Sequence, residues 1–413
     1  MSVSRLVSLG LAALLAAGPL SAQSPASSTD SARSATPAPA APRPAAAPAA
    51  PALNFSGIIF GSYNVQRPTG TIQLPNQADN SFVIDRAYLN FRIAAGDRTS
   101  IRITTDVYQS TETNANAYTI RAKYAYLQYE VPKHASGAQL LGRIGILQNV
   151  VIEHQDAFWP RWLSQAALER AGYFSSADVG IAGQLTLPNK LGEVYTTIVN
   201  GPGYTTRERD RFKDFAARLS LTPFANRTGS ALMQSFTLTG WGYRGATASG
   251  FVNGGTNQLG AVGDALDRTR YGVFAGVRDP RLVLGAEAAQ RHEGGESGAN
   301  TAASPRTLTE TTGRLLSAFT VVRPLAFVNA TGKSPFGVVG RYDHITPTAS
   351  TVNLPAARGA NAYHTLIGGV FWDISQKAQI ALDYQESLAS DNGSSNAPPT
   401  PLKAYYAHFV VTF

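Results

Sequence analysis

Residues 402–413 read LKAYYAHFVVTF, and this stretch decides which kind of fold to expect. Tyr405, Ala407, Phe409, Val411 and Phe413 alternate with Tyr406, His408, Val410 and Thr412, which is the period of two of a β-strand. One face is wholly apolar, with an aromatic ring near each end. At about 3.3 Å per residue, Tyr405 and Phe413 stand roughly 26 Å apart along the strand. Tilted by ~40°, that length matches the apolar band of a transmembrane barrel between its aromatic girdles. The competing reading is an apolar edge strand of a soluble sandwich, and the remainder of the chain has to choose.

Composition favours the barrel. The chain has 413 residues and is 44% hydrophobic, yet only 15% of it is charged, against about a quarter in an average soluble domain. The apolar residues are dispersed by alternation and are not collected into spanning helices. Cysteine is absent, which excludes a disulfide framework and thiolate metal sites and suits passage through an oxidising periplasm. The formal charge is +8. Nucleic-acid binding would need a clustered basic stripe. Here the arginines stand singly at alternate positions within apolar strands, which fits a basic interior, and no nucleic-acid partner is expected.

Along the chain, residues 1–22 read as a secretory signal peptide: Arg5, an apolar core over 6–17, and Leu20-Ser21-Ala22 as the cleavage site. That core is too short to span a bilayer as a helix. Residues 23–53 are almost entirely Ala, Pro and Ser and read as a disordered periplasmic linker. The barrel domain covers 54–413. Its candidate strands are 54–65, 81–95, 98–109, 118–131, 138–148, 178–187, 192–200, 213–223, 235–245 and 268–278, then 281–292, 311–323, 335–345, 361–373, 376–386 and 402–413. Short connections such as Gly96-Asp97 and Asp279-Pro280 alternate with long ones. An even-stranded barrel with short periplasmic turns and long external loops has this rhythm. A propeller would show a repeat of about 40–50 residues, and two sandwiches would show a linker midway; neither is present. The expectation is an all-β transmembrane antiparallel barrel of about sixteen strands in the outer membrane of a Gram-negative cell. Outer-membrane lipid surrounds it, and the first strand pairs with the last. A chain that stops on Phe413 after such a strand looks like the closing strand of these barrels, whose last residue is read by the barrel assembly machinery.

The longest internal loop, 149–177, follows the fifth strand. It holds Phe158-Trp159-Pro160-Arg161-Trp162 and then a helical pattern over 163–172 that Gly172 ends. It is the third external loop, the second of them (110–117) being short, and the third is the position that folds inward and narrows the lumen in sixteen-stranded porins. With the apolar parity facing lipid, Val83, Ala87, Leu89, Phe91 and Ile93 of the second strand point outward, and strands two, three and five point Arg86, Arg92, Arg102 and Arg143 inward. Arg218, Arg270, Arg291, Arg341 and Lys377 are more distant inward candidates, set against Asp106, Glu130, Asp214, Glu287, Asp343 and Asp383. The loop adds Glu153, Asp156 and Glu169 against Arg161 and Arg170. A basic wall facing a slightly acidic loop sets up a transverse field, the means by which charged rings select ions. Several of these arginines can equally pair with the acids and brace the wall.

The segments VIDRAYLNFRI (83–93), RAKYAYLQYEV (121–131), LLGRIGILQN (140–149) and VNGPG (199–203) resemble the phosphate-selective porins O and P. The likeness is one of pattern and order over about 54–223, with the terminal strand added. It implies a homotrimeric sixteen-stranded porin with an arginine-lined eyelet and affinity for phosphate or polyphosphate. The acidic loop residues and the scarcity of lysine depart from that pattern. Pore-lining, anion-binding residues are then expected among Arg86, Arg92, Arg102, Arg143, Arg161, Arg170 and Arg218.

Catalytic signals are poor. Residues 240–245, GWGYRG, spell a literal G-x-G-x-x-G, but no helix pattern follows. Neither G-x-S-x-G nor H-E-x-x-H occurs, and the six histidines are scattered, so no metal, cofactor or enzyme activity is expected. His154 and Asp156 lie two apart without a nucleophile and make a weak acid–base pair. The sequence therefore reads as a porin passing small anions and other small hydrophilic solutes with a mild to moderate anion preference. The rivals are a surface hydrolase built on a barrel and a structural anchor to the cell wall.

Overall fold

The computed structural model describes residues 52–68, 80–110, 117–208, 210–248, 265–297, 307–351, 362–389 and 402–413. The expected signal peptide and nearly all of the expected linker lie outside them. The strands are β1 Leu53–Pro68, β2 Asn80–Ala94, β3 Thr99–Gln109, β4 Tyr118–Glu130, β5 Gln139–Gln148, β6 Ala177–Thr186, β7 Gly192–Val199 and β8 Asp214–Leu221. The second half comprises β9 Thr237–Ala248, β10 Ala265–Asp279, β11 Leu282–Ser297, β12 Thr307–Val322, β13 Phe336–Thr351, β14 Tyr363–Asp373, β15 Ala378–Ala389 and β16 Leu402–Thr412. Each pairs antiparallel with its neighbours in sequence, and β1 pairs with β16 from Ile58↔Thr412 to Pro68↔Leu402, so the sheet closes into a barrel. Closure leaves no strand edge unpaired, which is the condition for a sheet to exist in hydrocarbon. The short helical turns α1 Ile152–Gln155, α2 Ala167–Arg170, α3 Ala231–Gln234 and α4 Leu325–Val328 all lie in connections.

The outward face carries the apolar belt. Ile144, Ile181, Leu219, Val273, Leu316, Val370 and Leu382 are exposed there. Aromatic rings gather at its margins: Tyr63 against Phe82 and Tyr384 against Tyr405 at the long-loop margin, Phe336 against Trp372 and Phe55 against Phe413 at the short-turn margin. On β16 the expected parity holds, with Tyr405 and Val411 exposed and His408 and Val410 buried.

Two details differ from the sequence reading. The strands β9 to β13 and β15 run further at their long-loop ends than the apolar alternation does, β11 to Ser297 and β13 to Thr351. Backbone hydrogen bonds continue past the membrane, where side chains no longer need to alternate. The second difference is a pair of β-bulges. In β2, Phe60 pairs with Arg86 but Gly61 pairs with Ile84, so Asp85 is an extra residue. In β4, Thr104 pairs with Tyr124 but Thr105 pairs with Ala122, which leaves Lys123 extra. Above the first bulge the alternation reverses. Val83 was expected on the lipid face, yet it pairs with the buried Ser62, and Phe82 takes the lipid face at 84% exposure. Lys377, expected in the lumen, is instead exposed in the turn between β14 and β15.

The interior is filled by the long connection between β5 and β6. Val150, Val151, Ile152, Leu168, Tyr173 and Phe174 pack against Tyr195, Trp241, Tyr243, Leu315 and Ile345 of the inner wall. Phe158, Trp159 and Leu163 pack on Phe274, Phe319, Val339, Ile367 and Phe371. The expected helix over 163–172 is confined to α2, because the chain is extended at Ala166 (ψ 148). Gly172 ends it as expected. It sits at φ +70, where the Tyr173 amide donates to Leu168, a left-handed cap that costs glycine least.

Candidate functional site

The inserted connection is fastened to the wall by polar bonds as well as apolar packing. Arg278 donates to the carbonyl of Ala157 at 2.7 Å, Arg341 to that of Gln165 at 2.6 Å, Arg291 to that of Ala171 at 3.3 Å, and Arg270 to that of Tyr173. Gln385 donates to Leu163 at 3.0 Å, and Arg170 reaches back to Ser387 at 2.9 Å. A loop inside a barrel carries backbone carbonyls that cannot all reach water, and wall arginines satisfy them. Arg270, Arg291 and Arg341, expected to line the lumen, thus serve as stitches. Arg270 and Arg341 are further paired, with Glu293 and Asp343.

Within the connection, Arg161 Nη1 lies 2.6 Å from Glu169 and 3.1 Å from Asp156, and Nη2 donates to Glu169 at 2.8 Å. Its acids are therefore consumed locally, and Glu153 is taken by Arg102 at 3.2 Å. His154 bonds Thr239 at 2.9 Å while Asp156 bonds Arg161, so the two do not form an acid–base pair. Burial and the nearby Arg218 and Arg278 push the His154 imidazole down to about 3. Burial raises the Asp156 carboxyl to about 6, against the lowering pull of Arg161 and Lys123.

Two polar recesses flank the connection. The one toward the short turns, of about 330 Å³, is lined by Arg92, Arg102, Arg143 and Arg218 together with Glu153, Glu193, His154, Tyr126 and Tyr195. Arg143 is held by the neutral amide oxygens of Gln128 at 2.9 Å and Gln184 at 2.7 Å. Its rim is also aromatic: the Arg102 guanidinium lies 4.6 Å from the Tyr124 ring centre. Arg218 is buried and pairs with Glu193, yet its Nε and Nη1 have no protein acceptor. The other recess, of about 280 Å³, is lined by Asp85, Arg86, Tyr88, Arg161, Trp162, Gln385, Tyr406 and His408. In it His408 lies 3.1 Å from Asp383, on the lumen side as the alternation of β16 requires.

Of the seven arginines named from the sequence, Arg92, Arg102, Arg143 and Arg218 come together in one recess, and Arg86 and Arg161 in the other. Arg170 joins neither; it ties α2 to β15. Arg121, Lys123, Asp85 and Glu193 escaped the sequence reading. Arg121 and Arg86 share Asp106, at 2.9 and 3.1 Å, and Lys123 lies 4.1 Å from the Tyr88 ring centre. A signal for Lys123 was present. Strict alternation back from Val131 would put a lysine into lipid at ~2–4 kcal/mol near the midplane, and a bulge removes that cost. Among the described residues no cluster of three or more His, Asp or Glu could hold a metal ion.

Comparison of the fold with solved structures gives a consistent answer. The anion-selective porin from Comamonas acidovorans superposes with a TM-score of 0.54 at 9% identity, covering 88% of this chain and 100% of that one. The outer membrane channel DcaP of Acinetobacter baumannii gives 0.55 at 12% identity, covering 88% and 98%. The fold is that of the outer-membrane porins. OmpT of Vibrio cholerae, an outer membrane protein, matches likewise at 0.56 and 8% identity, covering 89% and 99%. No protein-family model matches the sequence, and no curated protein does. At these identities the likeness is one of fold, and it places the chain in the outer membrane, with its belt in the lipid.

Proposed function

We propose that this chain is a porin through which small hydrophilic solutes diffuse, with a preference for anions set by the arginines on the short-turn side of the inserted connection. The observation that carries the reading is the recess around Arg218. Four guanidinium groups face two carboxylates there. Arg102 and Arg218 take Glu153 and Glu193, which leaves Arg92 and Arg143 without a carboxylate partner among the described residues. An anion ~4 Å from one uncompensated charge gains about 1 kcal/mol in water and about 4 kcal/mol at an effective dielectric of ~20. That suffices to favour anions over cations while still letting them leave, as conduction requires. The finer reading is a phosphate or polyphosphate preference. It rests on the resemblance to the phosphate-selective porins and on the affinity of guanidinium forks for phosphate oxygens. Homotrimeric assembly belongs to the same reading, and no chemical step is assigned to the chain.

The test is planar-bilayer recording of the purified protein under a potassium chloride gradient. The expected reversal potential lies on the anion side and moves toward zero in Arg92→Ala with Arg143→Ala. A cation-side potential, unchanged by those substitutions, overturns the anion preference. Block of chloride current by low concentrations of inorganic phosphate separates a phosphate-selective pore from a general one. One observation favours a second reading, an anchor with a closed lumen: the connection is bonded to β3, β9, β10, β11, β13 and β15 alike. Channel-free bilayers would support that reading and sink the porin.

A further inference from the structure

One region of the lipid-facing surface is shaped and charged unlike the rest. From β9 to β13 the outward residues change from apolar to polar along a continuous line: Gly242 to Arg244, Tyr271 to Thr269, Ala288 to Gln290, Leu316 to Arg314, and Tyr342 to His344. On the short-turn side of that line a groove of about 830 Å³ opens in the outer wall. Gly240 and Ala288 floor it, Tyr271, Val273 and Leu316 side it, and Arg314 with His344 stands at its upper end. A Cβ at Gly240 would meet no heavy atom within 4 Å, so the floor is open to the surroundings.

Arg314 is exposed and, among the described residues, has no hydrogen bond or ion pair. Two other outward charges are compensated, Lys403 by Glu386 at 3.7 Å and His292 by Glu310 at 3.7 Å. Arg244, exposed on the same line but outside the groove, likewise has no partner among the described residues. Glu310 and Asp267, the carboxylates on the same outward face, both stand nearer the long loops; Glu310 is ~13 Å from Arg314 along the strand. An unpaired guanidinium at the margin of an apolar belt meets the headgroup layer, where its cost falls to ~0–1 kcal/mol. A channel floored by Gly and Ala lets a hydrocarbon chain approach the backbone closely, and such packing, not hydrophobicity, drives association within a bilayer.

We propose that this groove holds one phosphorylated, anionic lipid of the outer leaflet, with an acyl chain along Gly240 and Ala288 and its phosphate on Arg314, beside His344. Charge complementarity selects the occupant. A neutral lipid would leave the arginine unpaired, whereas a phosphate accepts two parallel N–H bonds from it. The site faces away from the lumen, so it stands or falls apart from the porin reading.

Native mass spectrometry of the delipidated protein, with diphosphorylated lipid A as probe and its dephosphorylated form as control, tests the proposal. The expected result is one retained lipid A per chain, with retention of the dephosphorylated form weaker by about tenfold or more, the loss of a charge-assisted bond. Arg314→Gln should lower retention of lipid A by a similar factor. Gly240→Leu, which fills the floor, should abolish it while leaving conductance unchanged; Ala288→Leu provides the same block if that variant does not fold. Equal retention of the two lipids, or retention indifferent to both substitutions, overturns the proposal. So does conversion of oligomer to single chains with lipid retention intact, which would make the groove a contact with a second copy.

Discussion

Asp156 is the residue at which solution pH meets the proposed pathway. Its carboxyl is raised to about 6 by burial, with Arg161 at 3.1 Å and Lys123 nearby pulling the other way. Between pH 7 and pH 5 it takes up a proton and one negative charge disappears beside Arg161, which keeps its own. Anion preference should therefore rise as pH falls through about 6. His154, held near 3, does not titrate in this window. The check is the reversal potential at pH 7, 6 and 5 for the wild type and Asp156→Asn. The variant should show the low-pH value throughout, and an identical pH response in both proteins would count against the assignment. The linkage has a definite sign. A carboxyl with its folded value above its unfolded value favours the folded loop most below about pH 4. That contribution declines as pH rises toward 6 and stays lost above it.

At the scale of the element, the two bulges decide which side chains reach the lumen. Asp85 and Lys123 are each a single extra residue, and the facing of the residues on either side is what it would be without them. Deleting Lys123 should thus leave a folded, heat-modifiable barrel. Deleting Leu89 reverses the parity of β2 above it and turns Arg86 to lipid, at ~2–4 kcal/mol near the midplane. Electrophoretic mobility with and without heating, together with the folded yield, distinguishes the two; equal loss of folding would remove the bulge argument. The same features explain what the sequence could disclose. Alternation marks a strand wherever one face meets lipid, so all sixteen strands were legible, including closure of β1 on β16. A bulge breaks alternation without altering composition, so Arg121 and Lys123 were missed and Val83 was given the wrong face. The roles of Arg270, Arg291 and Arg341 were hidden for another reason. Their acceptors are loop carbonyls more than 90 residues away, and backbone oxygens carry no sequence signal.

The whole molecule depends on a single non-local seam, since every other strand pair joins neighbours in the chain. At its short-turn end the amide of Gly57 donates to Phe413 at 2.9 Å and that of Phe413 to Gly57 at 3.0 Å. The Phe413 ring lies over Gly57, where an added Cβ would come within 2.2 Å of it, and 5.9 Å from the Phe55 ring. Because the ring is at the end of a strand, Gly57→Ala should swing it off its seat without breaking the ladder. The loss is then that of the aromatic contact and its burial, about 1–2 kcal/mol. Phe413→Ala should cost a similar amount. Once the ring has left, the second substitution has nothing more to remove, so Gly57→Ala with Phe413→Ala should be scarcely worse than either alone. Urea unfolding of the three variants in lipid vesicles measures this. A coupling of about 1 kcal/mol or more marks the seat as a unit, whereas strictly additive losses would mean that the seam is held by its backbone ladder alone.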